Sequence, residues 1–203
     1  MKTILFSAIS GEFERNLAEI FAKENFRVVI ADDVEASQTL QPSDSVDIFI
    51  DTTDIHLPED TFTLQDGIRN DIIEQTFRQN VLHSMQLLEK HLPNLDAGQG
   101  RRICWLSSVG ASLNATRDTC GYGYNMAKAA LHQFIQNVSN KLTPRGYSFR
   151  VFDPLKDEVT PKQAAGAAFH YITRRRGTEN HDPKRDDESN LTLYDALGRA
   201  HPW

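Results

Sequence analysis

Short apolar runs alternating with amphipathic stretches constrain this chain more than any other feature. "TILFSAI" at residues 3 to 9, then "FRVVIADD", "VDIFIDTTD", "RRICWLSSVG" and "YSFRVFDP", are short and nearly continuous in apolar character, as buried strands are. Between them lie segments with helical spacing. Phe13, Leu17, Ile20 and Phe21 share a face of "GEFERNLAEIFAKEN". Ile68, Ile72, Ile73, Phe77, Val81, Met85 and Leu88 share one broad face of a region from about Leu64 to His91, which Pro93 should stop. Further helices are expected over Tyr122 to Leu142, ended by Pro144 and Gly146, and over Pro161 to Arg175, with proline at its tolerated first position. The connection from Val34 to Ser45 shows no clear periodicity. Buried strands alternating with helices predict an α/β domain: an open, mostly parallel sheet of about six strands with helices on both faces, in three layers. No repeat or linker divides the chain, so residues 1–203 read as one domain. Residues 177–203 read as a polar loop followed by a terminal strand or hairpin.

Composition narrows the function classes. The chain is 39% hydrophobic and 25% charged, which fits a globular rather than a disordered protein. Its formal net charge of -6 lacks the basic bias of a nucleic-acid binder. The opening "MKTILFSAIS" is apolar too briefly for a signal peptide or a bilayer span, so a cytoplasmic protein without a membrane partner is expected. Cys104 and Cys120 are too few for a disulfide framework, and the seven histidines show no metal-ligand spacing, so no metal site is expected.

In a sheet of this kind ligands sit beyond the carboxyl ends of the strands. That directs attention to Ser7 to Glu14, Asp32, Asp51 to Asp54 and Ser107 to Gly110. It also directs attention to "CGYGYNMAKAAL", where Tyr124 and Lys128 stand four apart on one helix face, after a strand that ends in Ser107 and Ser108. A phenol is a poor acid or base at neutral pH, and a nearby ammonium favours its phenolate. Ser108 could then hold a substrate oxygen while Tyr124 exchanges a proton with it and a hydride moves at carbon. Taken alone, the same stretch is equally compatible with a packed tyrosine and a solvated lysine on an ordinary helix.

The order of these segments resembles the short-chain dehydrogenase/reductase family. "RRICWLSSVG", "YNMAK" with its following "AALHQFIQNVSNKL", and "YSFRVFDP" match the family's strand, serine, Tyr-x-x-x-Lys helix and following strand. "RQNVLHSMQLLEKHLP" looks like its long central helix. The resemblance implies a Rossmann-like doubly wound fold and a catalytic tetrad of Asn80, Ser108, Tyr124 and Lys128. In the family the asparagine holds a water that connects the lysine to solvent, and the lysine contacts the nicotinamide ribose. The implied activity is NAD(P)-dependent oxidoreduction of a small carbonyl or alcohol. The implied assembly is a homodimer or homotetramer built through the two long helices.

The cofactor loop departs from the family pattern. Where the family has Thr-Gly-x-x-x-Gly-x-Gly, this chain has "SAISGEFE": Ser7 stands for the threonine, Ala8 for the first glycine, Glu12 and Glu14 for the others, and Gly11 lies one place early. Two carboxylates there would repel a diphosphate at about 1–4 kcal/mol each. They would equally satisfy the helix dipole, so that the chain carries its own anion where relatives bind one. "DTTD" at Asp51 to Asp54 replaces the family's Asn-Asn-Ala-Gly, and a strand and helix on the adenine side are missing. Asp32, at the end of the second strand, either merely caps that strand or bonds the adenosine ribose, and in the second case a bound dinucleotide is NAD rather than NADP. The cofactor set is therefore Ser7, Ala8, Gly11, Asp32, Tyr124 and Lys128. Two functions follow: an oxidoreductase with Tyr124 as acid/base, or a non-catalytic scaffold, acting as partner subunit or ligand sensor, that binds no dinucleotide. "DPLKDEVTPKQ" leaves almost no room for a substrate lid, which predicts an open, shallow site.

Overall fold

The computed structural model describes residues 1–31, 40–41, 43–174 and 191–202. Among the described residues seven strands form one sheet: β1 (Thr3–Phe6), β2 (Arg27–Ile30), β3 (Ile48–Asp51), β4 (Arg102–Leu106), β5 (Ser148–Asp153), β6 (Leu193–Asp195) and β7 (Ala200–His201), in the order β2-β1-β3-β4-β5-β6-β7. All neighbouring pairs are parallel except β6 and β7, which are antiparallel. The chain therefore ends in a hairpin, and the sheet has one strand more than about six. The helices are α1 (Glu12–Lys23), α2 (Asn70–Phe77), α3 (His83–Ala97), α4 (Tyr122–Leu142) and α5 (Pro161–Thr173). No helix among the described residues is long and apolar enough to cross a membrane.

The strands explain their own burial. Side chains alternate across a strand, so Ile4, Phe6, Ile48, Ile50 and Phe152 pack on one face with Phe13, Leu17 and Phe21 of α1 and Ala164, Ala165 and Ala168 of α5. Leu5, Phe49, Trp105 and Val151 pack on the other face with Leu87, Leu88 and Leu95 of α3 and Leu131 and Ile135 of α4. Each large side chain buried this way contributes about 1.5–3 kcal/mol. Both faces are covered, which is why the strands read as continuous apolar runs.

The long helical region differs from expectation at both ends. It starts at Asn70, is interrupted by a π-helical turn at Arg78–Leu82, and continues through Pro93 to Ala97. A proline inside a helix costs about 3 kcal/mol. Contacts beyond it hold the last turn nonetheless: the Asn94 amide donates to the carbonyls of Gln41 and Asp44 at 2.8 and 2.9 Å, and Leu95 is fully buried. Gly98 then passes so close to β3's approach that a Cβ on it would lie 1.9 Å from the Val46 carbonyl oxygen.

From β1 the chain moves outward to β2, then returns to the other side of β1 to make β3. The winding reverses there, which opens a crevice beyond the carboxyl ends of β1 and β3.

Candidate active site

Two elements build the end of the crevice beyond β4. β4 delivers Ser107 and Ser108, and Ser108 caps the short turn Val109–Ala111 by accepting from Gly110 N at 3.1 Å. α4 delivers Tyr124 and Lys128, both buried. The first turn of α4 is fixed by a residue the sequence reading did not single out. Asp60, 6% exposed, accepts from Gly123 N at 3.1 Å and Tyr124 N at 2.7 Å. A carboxylate at a helix N-terminus is favourable on both hydrogen-bond and dipole grounds. Gly123 permits this approach, since a Cβ there would lie 3.1 Å from an Asp60 oxygen. Asp60 is more than sixty positions from its partners, so no local pattern announces it.

Asn80, Ser108, Tyr124 and Lys128 gather in one neighbourhood, with Asp54 at its centre. The Tyr124 hydroxyl donates to Asp54 Oδ1 at 2.6 Å, and Lys128 Nζ stands 3.1 Å from the same oxygen. Lys128 also donates to the carbonyls of Thr53 at 2.8 Å and Leu106 at 3.3 Å, and lies 5.6 Å from the Tyr124 ring centre. Lys156, from the loop after β5, pairs with Asp54 Oδ2. The His56 ring stacks on Tyr124 at 3.6 Å. Asn80 sits buried in the π-helical turn. It accepts from Ile55 N at 3.0 Å and donates to Ile55 O at 2.9 Å and Thr76 O at 3.1 Å, so it pins the segment that carries Asp54.

The electrostatics follow. Burial alone would raise the Asp54 carboxyl, but Lys128, Lys156 and the Tyr124 hydroxyl outweigh it and hold it far below the usual carboxylate range. The Tyr124 phenol is pushed well above 10, first by burial, then by the charge and hydrogen bond of Asp54, with Ser108's hydrogen bond opposing. This corrects the expectation that Lys128 lowers it. Asp54 accepts the phenol's own proton, so the neutral form is the one stabilised, and the ammonium's field is offset by a carboxylate at 3.1 Å. His56 is lowered, by burial first and then by Lys156 and Lys128, against the opposing pull of Asp54. Asp153 is raised by burial, although Leu155 N and Val109 N each donate to it at 2.8 Å.

The phosphate end is organised differently. Ser7 Oγ and Thr52 Oγ1 are 2.9 Å apart, and Thr52 N donates to Ser7 Oγ at 2.8 Å. Ala8 N donates to Thr52 Oγ1 at 3.2 Å, and Thr52 returns a bond to Ala8 O at 2.7 Å. Gly11 N donates to Glu14 Oε2 at 2.7 Å, and Glu14 is 4% exposed while Glu12 is exposed. Glu14 is thus the internal anion of the α1 N-terminus. Asp32 lies outside the described residues. A nicotinamide dinucleotide is the group this fold implies. Ser108, Tyr124 and Lys128 suit its catalytic end. The turn at Gly11 does not suit a diphosphate while Glu14 occupies its N–H.

A cavity of about 580 Å³ opens beyond β4 and β5, lined by Ser108, Tyr124, Asp54 and Lys156 and also by Arg199 and His201 of the terminal hairpin. Asp195 holds both hairpin side chains, accepting from Arg199 Nε and from His201 Nε2 at 2.8 Å. The sequence reading expected an open, shallow site here. The wall depends on the pairing of β6 with β5, a contact distant in sequence that no local pattern encodes.

An open α/β sheet with a serine after β4 and a Tyr-x-x-x-Lys pair on the next helix defines a class of protein. No family model matches the chain. Over 73 residues it is 36% identical to the C-signal of Myxococcus xanthus, a match covering 36% of this chain and 44% of that protein, so less than half of that relative's length is spanned. Across its whole length it superposes on a candidate short-chain alcohol dehydrogenase of Burkholderia multivorans (TM-score 0.77, 18% identity, 99% of that chain). It also superposes fully on a carbonyl reductase of Pseudomonas aeruginosa PAO1 in complex with NADP (TM-score 0.72, 15% identity, 100% of that chain). The fold of this chain is that of the short-chain dehydrogenases/reductases.

Proposed function

We propose that the chain is an oxidoreductase of the short-chain dehydrogenase/reductase type, acting on a small carbonyl or alcohol with a nicotinamide dinucleotide. The observation that carries this reading is the meeting of Ser108 and Tyr124 at the cavity of about 580 Å³, with the Lys128 ammonium buried 5.6 Å from the Tyr124 ring centre. In it, Ser108 orients the substrate oxygen and Tyr124 exchanges a proton with that oxygen. Lys128, anchored by two backbone carbonyls, keeps a positive charge beside the phenol. The nicotinamide, when bound, is the hydride carrier. Asn80 acts by positioning Ile55 and its neighbours. Asp32 supports NAD as the preferred cofactor, with Ser7, Ala8 and Gly11 in its loop. A homodimer or homotetramer would cover the exposed Phe77, Leu82 and Met85 along α2 and α3 and Met126 on α4. A cytoplasmic setting fits this chemistry.

The test is titration of the pure protein with NADH and NADPH by fluorescence, followed by turnover of small aldehydes and ketones. Micromolar binding, with Tyr124→Phe lowering the rate by about 10²–10⁴-fold, is the expected result. An absence of binding at millimolar cofactor would remove this reading. A second reading, a non-catalytic scaffold, is favoured by the Glu14 carboxylate on Gly11 N. It predicts that lack of binding, together with a Tyr124→Phe protein that keeps its partner or ligand.

A further inference from the structure

We propose that Asp54 is a built-in occupant of the seat for the substrate oxygen and that Lys156 latches it there, so that Tyr124 serves a ligand only when the latch opens. This rests on the reading of Tyr124 as the proton-exchanging group.

Three observations carry it. First, one carboxylate engages both reactive side chains: Oδ1 takes the Tyr124 hydroxyl at 2.6 Å and faces Lys128 Nζ at 3.1 Å. A phenol has a single proton to donate, and while Asp54 accepts it no substrate oxygen can. Second, the two ends of the latch differ in freedom. The Asp54 side chain is 6% exposed and its segment is pinned by Asn80, whereas the Lys156 side chain is 49% exposed and comes from a loop. Third, the residue that presents Lys156 is Leu155, held at φ +49° in the left-handed region that a leucine seldom adopts. The bond from Leu155 N to Asp153 Oδ1 holds it at 2.8 Å. The Leu155 carbonyl accepts from Glu158 N at 2.9 Å and Val159 N at 3.2 Å, so the surroundings hold the strained residue and the freedom beside Asp54 is that of the half-exposed Lys156 side chain. The charged and titratable groups facing Asp54 are Tyr124 and Lys128 from α4, Lys156 from the loop after β5, His56 from its own segment, and the like-charged Asp153 at the end of β5.

The alternative role for this cluster is a static brace. The two roles predict opposite signs for one measurement, the Tyr124 phenol titration, read by tyrosinate absorbance as the difference from Tyr124→Phe. With Asp54 fixed, Lys156→Ala removes a cation and pushes the titration to higher pH. With Asp54 latched, Lys156→Ala releases the carboxylate, and the titration falls toward the ordinary tyrosine range. Asp54→Asn should bring it down further, because Lys128 then acts on the phenol unopposed. An upward or absent shift in Lys156→Ala, or no shift in Asp54→Asn, overturns the proposal. Turnover is read separately. A downward titration shift without carbonyl reduction keeps the latch and removes the oxidoreductase reading, and turnover with an unmoved titration does the reverse.

Discussion

Both ends of the crevice contain a carboxylate where a ligand would sit, yet the two are built in unlike ways. Glu14 bonds Gly11, three positions away, within the helix it belongs to. Asp54 bonds Tyr124, seventy positions away, and draws on side chains from α4 and from the loop after β5. The first is a local cap, an arrangement most helices can adopt or lose at a cost of about 1 kcal/mol. The second is a buried cluster of charges whose members depend on one another. At the α1 end, acids stand where the resembled family has glycines, and the Gly11 backbone donor is taken by Glu14. At the α4 end, Ser108, Tyr124 and Lys128 are all present, with the Asp54 carboxylate placed among them.

The most severe test of that contrast is Lys128→Met. The ammonium is fully buried, and removing it leaves Asp54 facing the remaining charge of Lys156 alone. Breaking a buried pair in this way typically costs about 3–5 kcal/mol. Urea denaturation should show a loss near the lower bound, since Lys156 still compensates in part. The double variant with Asp54→Asn should lose less than the sum of the two single changes, because the orphaned charge is gone. An additive result would mean that the catalytic end is no more coupled than the phosphate end, and the contrast would fail.

Acid separates the two ends next. His132 lies on α4, one turn beyond Lys128, with its Nε2 2.7 Å from Ser107 Oγ. Burial first, then Lys128, lower it from 6.5 to about 4. The unfolded chain therefore binds a proton at pH values where the folded chain refuses one. The stability this histidine contributes is fully present above pH about 6.5 and is lost as pH falls toward about 4, roughly 3 kcal/mol in all. Asp54, held far lower, begins to lose its contribution only below about pH 3.9, the unfolded value for aspartate. Asp153, raised by burial, acts in the opposite direction in the lower part of the window. Chemical denaturation of wild type against His132→Gln isolates the histidine. The variant should show a flatter profile between pH 4 and 6.5, and equal slopes would sink the assignment.

What the sequence revealed follows the range of each interaction. The strands were legible because both faces of the sheet are covered, so Ile4, Leu5 and Phe6 are all apolar. The Ser108, Tyr124 and Lys128 group was legible because chain order places helix α4 after β4, so its first turns return to the carboxyl end of that strand. Glu14 was legible as a helix-terminal acid because a cap needs only its own turn. Asp54 was visible as a departure in "DTTD", but its attachment to Tyr124 depends on a contact across seventy residues that no local pattern encodes. The same holds for Asp60 on the first turn of α4. Pro93 misled for the complementary reason: its local cost is overridden by Asn94 and Leu95, whose contacts are distant in sequence.

The gentlest change concerns the phosphate end. Glu14→Gln keeps a side-chain acceptor for Gly11 N but removes the charge, so helix α1 should lose only about 0.5–1 kcal/mol. A diphosphate approaching the α1 N-terminus would no longer meet a buried carboxylate. Relief of a unit charge at that range is worth about 1–2 kcal/mol, or roughly a tenfold gain in NADH affinity by fluorescence titration. Glu12→Gln should give a smaller gain that disappears in high salt, because Glu12 is exposed and already screened. The comparison with Asp54→Asn then identifies which end limits binding. A gain from Glu14→Gln alone assigns the block to the Glu14 carboxylate. A gain from Asp54→Asn alone assigns it to the Asp54 carboxylate, in which case Glu14 is only a cap that a cofactor can displace.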